Sequence, residues 1–244
     1  MRTAEIKIYE FKELSQDLQE KAIEDIRSLD YYLDIDFFKC NSKEFLKGFG
    51  FGKHGDKLDV YYDLDYCQGA DFSIVGQLYF DNFLKSELKL DEFGLCFSEM
   101  DENNIKEAYE SLKSVFKDFE KELETLGILK EDKDQLKTIF LSTGSVKFVS
   151  KPNYGYSRDS MDFNFDSYYS EDKDNQRIGE AFFDVYCDKL ENAFKHFKNQ
   201  VERALLNAGR KELDYQYSDE GVKNFIEANE FEFLENGKRW KEIA

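Results

Sequence analysis

Residues 58–80 constrain the fold most strongly, because apolar and polar residues alternate there in two runs separated by a short turn sequence. From Leu58 to Tyr66, apolar residues alternate with three aspartates and a tyrosine, and a second set of apolar positions extends from Phe72 to Phe80. A period of two places successive side chains on opposite faces of a strand. Two such runs joined by Cys67–Ala70 therefore predict an antiparallel β-hairpin.

A second pair of short alternating segments, residues 145–150 and 161–168, predicts two further strands by the same argument. Apolar residues at helical spacing predict helices around and between these strands. The predicted helices are a segment that begins at Ser15, residues 31–49 with a restart at Ser42, and residues 105–126, 178–208 and 218–229.

The ends and faces of these helices can also be predicted. Gly127 and Gly209 are expected to serve as C-caps, and Asn236-Gly237 is typical of a type I′ turn. The side chains of the longest helix that are expected to face the core are Phe182, Val185, Tyr186, Ala193, Phe194, Phe197, Val201 and Leu205.

These elements follow one another without a proline-rich linker, and the chain contains a single proline, Pro152. We therefore predict one α+β domain over residues 1–244. Its antiparallel sheet, with hairpins near residues 58–80 and 146–168, is expected to pack against the long amphipathic helices.

The net charge restricts the class of partner. The chain has 34 Lys and Arg against 52 Asp and Glu, a formal charge of −18, whereas binding to a nucleic-acid backbone requires clustered basic residues. Direct binding of nucleic acid is therefore not expected. Hydrophobic residues make up 41% of the chain, which excludes disorder, and no run of about 18 apolar residues predicts a membrane span.

Cysteine and histidine usage argues against a bound metal or cofactor. The four cysteines are far apart and form no CxxC pair, and neither His54 nor His196 lies near a cysteine in the sequence. A thiol–imidazole pair between His54 and Cys67 would lack a third group to orient it. We expect no cofactor, reduced thiols and, because residues 1–7 lack an apolar signal region, a cytoplasmic protein.

Aspartates occupy one face of each predicted hairpin. Asp59, Asp63 and Asp65 share one face of the first, and Asp162, Asn164 and Asp166 share one face of the second. If the two hairpins are neighbours in the sheet, these side chains would form one acidic stripe. Such a stripe is compatible with an ordinary solvated face, a docking surface that imitates the charge of DNA, or a Mg²⁺ or Mn²⁺ site for phosphodiester cleavage.

Two loops are further candidates for binding. The turn at Gln68-Gly69 could present an amide to a ligand, or Gly69 could simply supply the positive φ of a hairpin turn. The loop before Ser160 contains Tyr154, Tyr156 and Arg158, residue types that are enriched at binding hot spots, although a packed turn explains them equally well.

Four segments carry a resemblance that extends over nearly the whole chain. They are Tyr9–Ser15 with Glu20–Glu24, the turn Asp65–Phe72, the segment Val146–Asp162 and the tail Ser218–Gly237. In this order they resemble a family of uncharacterised phage and prophage proteins, some of which are labelled antitoxin of toxin–antitoxin system. Cys67 and Ala70 differ from the S-Q-G-D-G turn of that family, which has serine and aspartate at these positions.

The resemblance implies a phage or mobile-element origin and an accessory role in the host cytoplasm, but no particular activity. With the charge, it favours an acidic, non-enzymatic protein that binds and neutralises a host or phage protein with a basic surface, as an anti-defence inhibitor or an antitoxin. The predicted partner-binding residues are Asp59, Asp63, Asp65, Gln68, Asp71, Tyr154, Tyr156, Arg158, Asp162 and Asp166.

Two other functions remain open at this point. One is a divalent-metal-dependent phosphodiesterase or nuclease that uses Asp63, Asp65, Asp71 and Asp162. The other is a structural or assembly protein of a virion, which would associate with itself. The oligomeric state, a homodimer included, is left open by the sequence.

Overall fold

The structure is a computed structural model that describes residues 6–28, 35–52, 55–64, 71–149 and 160–240. The α-helices are α1 (Gln16–Arg27), α2 (Ile35–Gly48), α3 (Phe80–Lys85), α4 (Glu99–Thr125), α5 (Lys130–Thr138), α6 (Lys173–Tyr217) and α7 (Asp219–Ala228). The strands are β1 (Ile8–Glu10), β2 (Asp59–Asp63), β3 (Asp71–Tyr79), β4 (Ser145–Val149), β5 (Ser160–Asn164) and β6 (Glu232–Leu234). The predicted α+β class is confirmed.

Contacts between Cα atoms divide the chain into two compact units. The first comprises residues 1–35 and 210–244, and the second comprises residues 36–209, so that the division falls within α6. This division does not test whether residues 1–244 form one domain, so the single domain stays a prediction. Among the described residues, no helix combines the length and the apolar character that a membrane crossing requires.

The second unit is built on a four-stranded antiparallel sheet in the order β2-β3-β4-β5. Both predicted hairpins are therefore confirmed, and they are joined side by side through β3 and β4. The connection between these two strands contains α3, α4, α5 and a π-helix at Ile139–Thr143. Gly144 follows the π-helix, and a Cβ there would come within 2.5 Å of the Phe140 carbonyl oxygen, so the site requires glycine.

The core of the second unit lies on one face of this sheet and is unusually rich in phenylalanine. Phe72, Ile74, Val146 and Phe148 face it with at most 1% of their surface exposed. Phe194 of α6 lies 6.3 Å from Phe148, measured between ring centroids. The alternation that predicted the strands thus also separates the buried face from the outer face.

The first unit has its own small core. β1 and β6 form an antiparallel pair, and α1 and α7 enclose buried side chains that include Phe11, Ile26 and Phe233. The turn after β6 is not the predicted type I′ form, because Gly237 alone has a positive φ, at +81°, while Asn236 does not. The Leu234 N–H donates to the Lys238 carbonyl, which closes a three-residue loop ending in that glycine.

Three predictions about helices are wrong. α6 does not end at Gly209 but continues to Tyr217, and Gly209 lies against the Phe38 ring, which leaves no room for a Cβ. α2 is continuous through Ser42, whose hydroxyl donates to the Phe38 carbonyl. α4 ends at Thr125 with an extended residue, Leu126, as its C-cap, so Gly127 does not have that role.

Candidate functional site

The strands that carry the predicted acidic residues lie at opposite edges of the sheet. β2, with Asp59 and Asp63, forms one edge, and β5, with Asp162, forms the other. Three strand spacings of about 4.8 Å put about 14 Å between these edges. The expected single stripe is therefore not formed, because β3 and β4 separate the two groups.

On the outer face between these edges, Gln77 of β3 and Lys147 of β4 are not acidic. The Gln77 side-chain amide donates to the Ser145 hydroxyl at 2.9 Å. Lys147 stands directly opposite Asp162 in the register of β4 and β5, and both side chains are exposed. At these two positions the middle strands thus present a neutral amide and a lysine, where a charge-mimicking stripe would need carboxylates.

Asp59 is held in an internal ion-pair cluster. One carboxylate oxygen lies 2.8 Å from the Lys43 Nζ and 3.1 Å from the Lys39 Nζ, both on α2. Hydrogen bonding to Lys43 is the main cause that lowers the pKa of Asp59 to about 2, despite the opposing effect of burial. With 16% of its side chain exposed, Asp59 serves to attach α2 to the edge of the sheet.

Asp59→Asn is expected to reduce the free energy of unfolding by about 1 kcal/mol near pH 6, because two lysines lose their anionic partner. The folded-state pKa is depressed, so the stabilisation is present above pH 3.8 and is lost as the pH falls through about 2. Denaturant unfolding at several pH values should show wild type and variant converging at the acid end. A difference that persists unchanged at pH 2 would contradict this role.

The remaining predicted site residues fall into two groups. Asp63 is exposed at the end of β2 and stands opposite Asp71 of β3 in the register. The predicted residues Asp65, Gln68, Tyr154, Tyr156 and Arg158 lie outside the described part of the chain. The predicted binding role of all these residues stays a prediction.

The predicted metal-site residues are not brought together as a set. Asp63 and Asp162 are at opposite edges of the sheet, and Asp65 lies outside the described residues. Within the described ranges, no group of three or more His, Cys, Asp or Glu side chains could hold a metal ion. The geometry therefore provides no support for a catalytic metal site at these positions.

Acidic residues are also concentrated in β5, in the segment after it and in the first turns of α6. Between residues 160 and 191 the chain has nine Asp and Glu against three Lys and Arg, a net charge of −6. We call this the β5–α6 acidic surface. Its exposed carboxylates are those of Asp162, Asp166, Glu171, Asp172, Asp174, Glu180, Asp184 and Asp188, and the ninth, Glu191, is partly exposed.

Local contacts hold this surface together. The side-chain carbonyl of Gln176 accepts a bond from the Ser170 backbone N–H at 2.6 Å, and its amide donates to the Tyr168 carbonyl. The rings of Phe165 and Phe183 are 4.9 Å apart, measured between centroids. The segment after β5 is therefore fastened to the first turns of α6. Asp162 of β5 lies on the outer face of the sheet, whereas α6 packs against the other face through Phe194 and Phe163.

Two of these carboxylates contribute to a raised pKa of the neighbouring Cys187 thiol. Burial, followed by the charges of Asp184 and Asp188, raises the pKa of Cys187 to about 11. The thiol is thus protonated at neutral pH and is not a nucleophile. Cys40 and Cys96, the other cysteines in the described ranges, are exposed free thiols.

Exposed apolar side chains lie among the carboxylates. Tyr169 is 68% exposed, Ile178 is 41% exposed and Val185 is 54% exposed. The prediction that Val185 faces the core is therefore wrong. Ile178 and Val185 are on α6 and Tyr169 precedes it, and exposed apolar groups with a charged rim are a feature of protein–protein interfaces.

The comparisons with known proteins leave the family open. No family model, curated protein or solved structure matches this chain. The resemblance to phage and prophage proteins accordingly stays a prediction.

Sequence reasoning identified Asp162 and Asp166 but missed the α6 part of this surface. The sequence predicts a charged loop over residues 170–177, which is wrong because α6 already begins at Lys173. Val185 lies beside the core residue Tyr186 in the sequence. A signal was present, because Ile178, Ala181 and Val185 share a face that is distinct from the one holding Gly179 and Tyr186.

Proposed function

We propose that the protein is a non-catalytic binding protein that docks a partner with a basic surface on the β5–α6 acidic surface. The observation that carries this proposal is that eight exposed carboxylates and the exposed side chains of Tyr169, Ile178 and Val185 all belong to the segment between residues 162 and 188. Complementary charge steers association and sets orientation, while buried apolar groups supply affinity. The segment between residues 162 and 188 contains both carboxylates and exposed apolar side chains.

We further propose that docking neutralises the partner, either a toxin or a nucleic-acid-binding defence enzyme of the host. The net charge of −18 supports this, since an enzyme that holds nucleic acid presents a basic cleft. The resemblance to phage proteins labelled as antitoxins points in the same direction. The β5–α6 acidic surface would then occupy the cleft in place of the phosphates.

The test compares two variants of equal net charge. In the first, Asp162, Asp166, Asp184 and Asp188 on the surface are changed to Asn. In the second, four exposed carboxylates of α4 and α5 are neutralised as a matched control, namely Glu107→Gln, Glu110→Gln, Glu124→Gln and Asp134→Asn. Each variant removes four negative charges, which changes the formal charge from −18 to −14.

Affinity capture from host lysate at about 50 mM salt is expected to retrieve a basic partner with wild type and with the control variant, and about 300 mM salt should weaken it. The surface variant should bind that partner at least about tenfold more weakly, with a shallower salt dependence. Failure to retrieve any partner at low salt, or equal losses in both variants, would overturn the proposal.

A further inference from the structure

One face of α6 carries an apolar stripe that nothing in the described second unit covers. Asp174, Ile178, Ala181, Val185 and Asp188 follow one another at intervals of four, three, four and three residues, and all five are exposed. This spacing places them on a single side of the helix. We call it the 174–188 stripe.

The opposite side of the helix already provides its attachment to the core. Gly179 is buried and lies so close to the Tyr168 ring that a Cβ would come within 2.4 Å of it. Tyr186 is fully buried, and its ring packs edge-on against Phe119 of α4 at 5.1 Å. The 174–188 stripe is therefore a second apolar face of the helix, and the fold itself does not require it.

The stripe has the length of a short helical contact. At 1.5 Å per residue, the distance from Asp174 to Asp188 along the axis is about 21 Å. Apolar side chains occupy the three central positions and carboxylates occupy both ends. Apolar anchors at i, i+3 and i+7 on one helix are typical of sites that bind a second helix.

The charged residues that flank the 174–188 stripe indicate which kind of partner helix can bind there. Asp184 lies beside the stripe, and the basic residues on the same flank are Lys173 and Arg177. Lys189, on the other flank, is engaged with Glu122 at 3.6 Å and lies over the Tyr186 ring. Between residues 173 and 189 the four carboxylates of Asp174, Glu180, Asp184 and Asp188 thus outnumber the three basic groups of Lys173, Arg177 and Lys189.

A second copy of this chain does not suit the stripe. In a parallel pair, Asp174 would face Asp174 and Asp188 would face Asp188, and in an antiparallel pair Asp174 would face Asp188. Both arrangements bring like charges together at both ends of the contact, which is unfavourable. The occupant must therefore be a different helix that carries positive charge.

We propose that the 174–188 stripe receives an amphipathic helix of a partner protein, with apolar residues at heptad spacing and Lys or Arg on the flanks. The apolar side chains of that helix would contact Ile178, Ala181 and Val185, and its basic residues would meet Asp174, Asp184 and Asp188. This inference rests on the proposed function, because it names the element by which the basic partner docks.

The direct test uses a synthetic peptide of about 18 residues, with Leu at heptad a and d positions and Lys at e and g, bound to the full chain. Fluorescence anisotropy should show binding at least about tenfold tighter than for a scrambled peptide of the same composition. Ile178→Ser with Val185→Ser should reduce binding at least about tenfold. A matched control is Met100→Ser with Leu129→Ser, since both side chains are 59% exposed.

Three outcomes would overturn the inference. They are equal binding of the ordered and scrambled peptides, equal losses in the stripe and control variants, and a stable dimer of the wild-type chain in light scattering that the stripe variant abolishes. Capture from lysate separates the two proposals. A partner lost on neutralising Asp162, Asp166, Asp184 and Asp188, but retained by the stripe variant, would support charge-directed docking of a basic partner and would overturn both the bound helix and the contribution of Ile178 and Val185 to affinity.

Discussion

Glu202→Ala is expected to lower the free energy of unfolding by about 3–5 kcal/mol. Glu202 lies on α6 and pairs with Lys198 at 2.8 Å, with 11% and 2% of the two side chains exposed. Its other carboxylate oxygen accepts the Ile74 backbone N–H of β3 at 2.8 Å. Truncation leaves a buried ammonium group without this carboxylate and removes the acceptor for a buried strand N–H.

The chain contains a matched control for this prediction. Glu191 and Lys195 have the same i, i+4 spacing on the same helix, but 44% and 54% of their side chains are exposed. Glu191→Ala should change stability by less than about 1 kcal/mol, since exposed pairs contribute little. Urea unfolding followed by circular dichroism measures both variants, and similar losses in the two would show that the buried pair has no special role.

Glu202→Gln distinguishes the two contributions. Glutamine keeps an oxygen that can accept the Ile74 N–H but carries no charge to balance Lys198. The loss of stability should therefore fall between zero and that of the alanine variant. A loss equal to that of Glu202→Ala would assign the whole effect to the ion pair.

Phe80→Ala is expected to lower the free energy of unfolding by about 3–5 kcal/mol, because it leaves a cavity among packed aromatic rings of the core. Phe80 is fully buried, and its ring centroid lies 5.2 Å from that of Phe116, 5.5 Å from Phe194 and 5.6 Å from Phe165. These rings belong to α4, to α6 and to the segment after β5. The Phe80 side chain thus packs against both long helices, α4 and α6, and against the segment that follows the edge strand β5.

The control is Phe37→Ala, since 57% of the Phe37 side chain is exposed. It should cost less than about 1.5 kcal/mol, because much less apolar surface returns to water. Urea midpoints at constant m-value would establish the difference. If Phe80→Ala were as mild as Phe37→Ala, the ring cluster would not be a rigid part of the core.

The strands were predicted well because their signal is local. Alternation in residues 58–80 identified both strands of the first hairpin. It also identified their buried face, on which Val60, Phe72 and Ile74 lie. A side-chain period of two depends only on backbone geometry and burial of one face. Neighbouring residues therefore contain all the information that this prediction needs.

The acidic residues were predicted less well because their surroundings are set by distant parts of the chain. Nothing near Asp59 in the sequence indicates that Lys39 and Lys43 of α2 will contact it. The separation of β2 from β5 likewise depends on the order of strands in the sheet. Sheet order follows from long-range pairing, which local patterns do not encode.

By itself, the sequence determined the α+β class, the two hairpins, the buried side of the strands in these hairpins and the excess of negative charge. Only the tertiary structure decided where that charge is concentrated and which helix face is left uncovered. The reason is that helical periodicity shows that α6 has apolar residues but does not rank its faces, since Val185 and Tyr186 are adjacent. Packing of Tyr168 and Phe119 against α6 buries the face of Gly179 and Tyr186, and this leaves Ile178 and Val185 exposed beside the carboxylates.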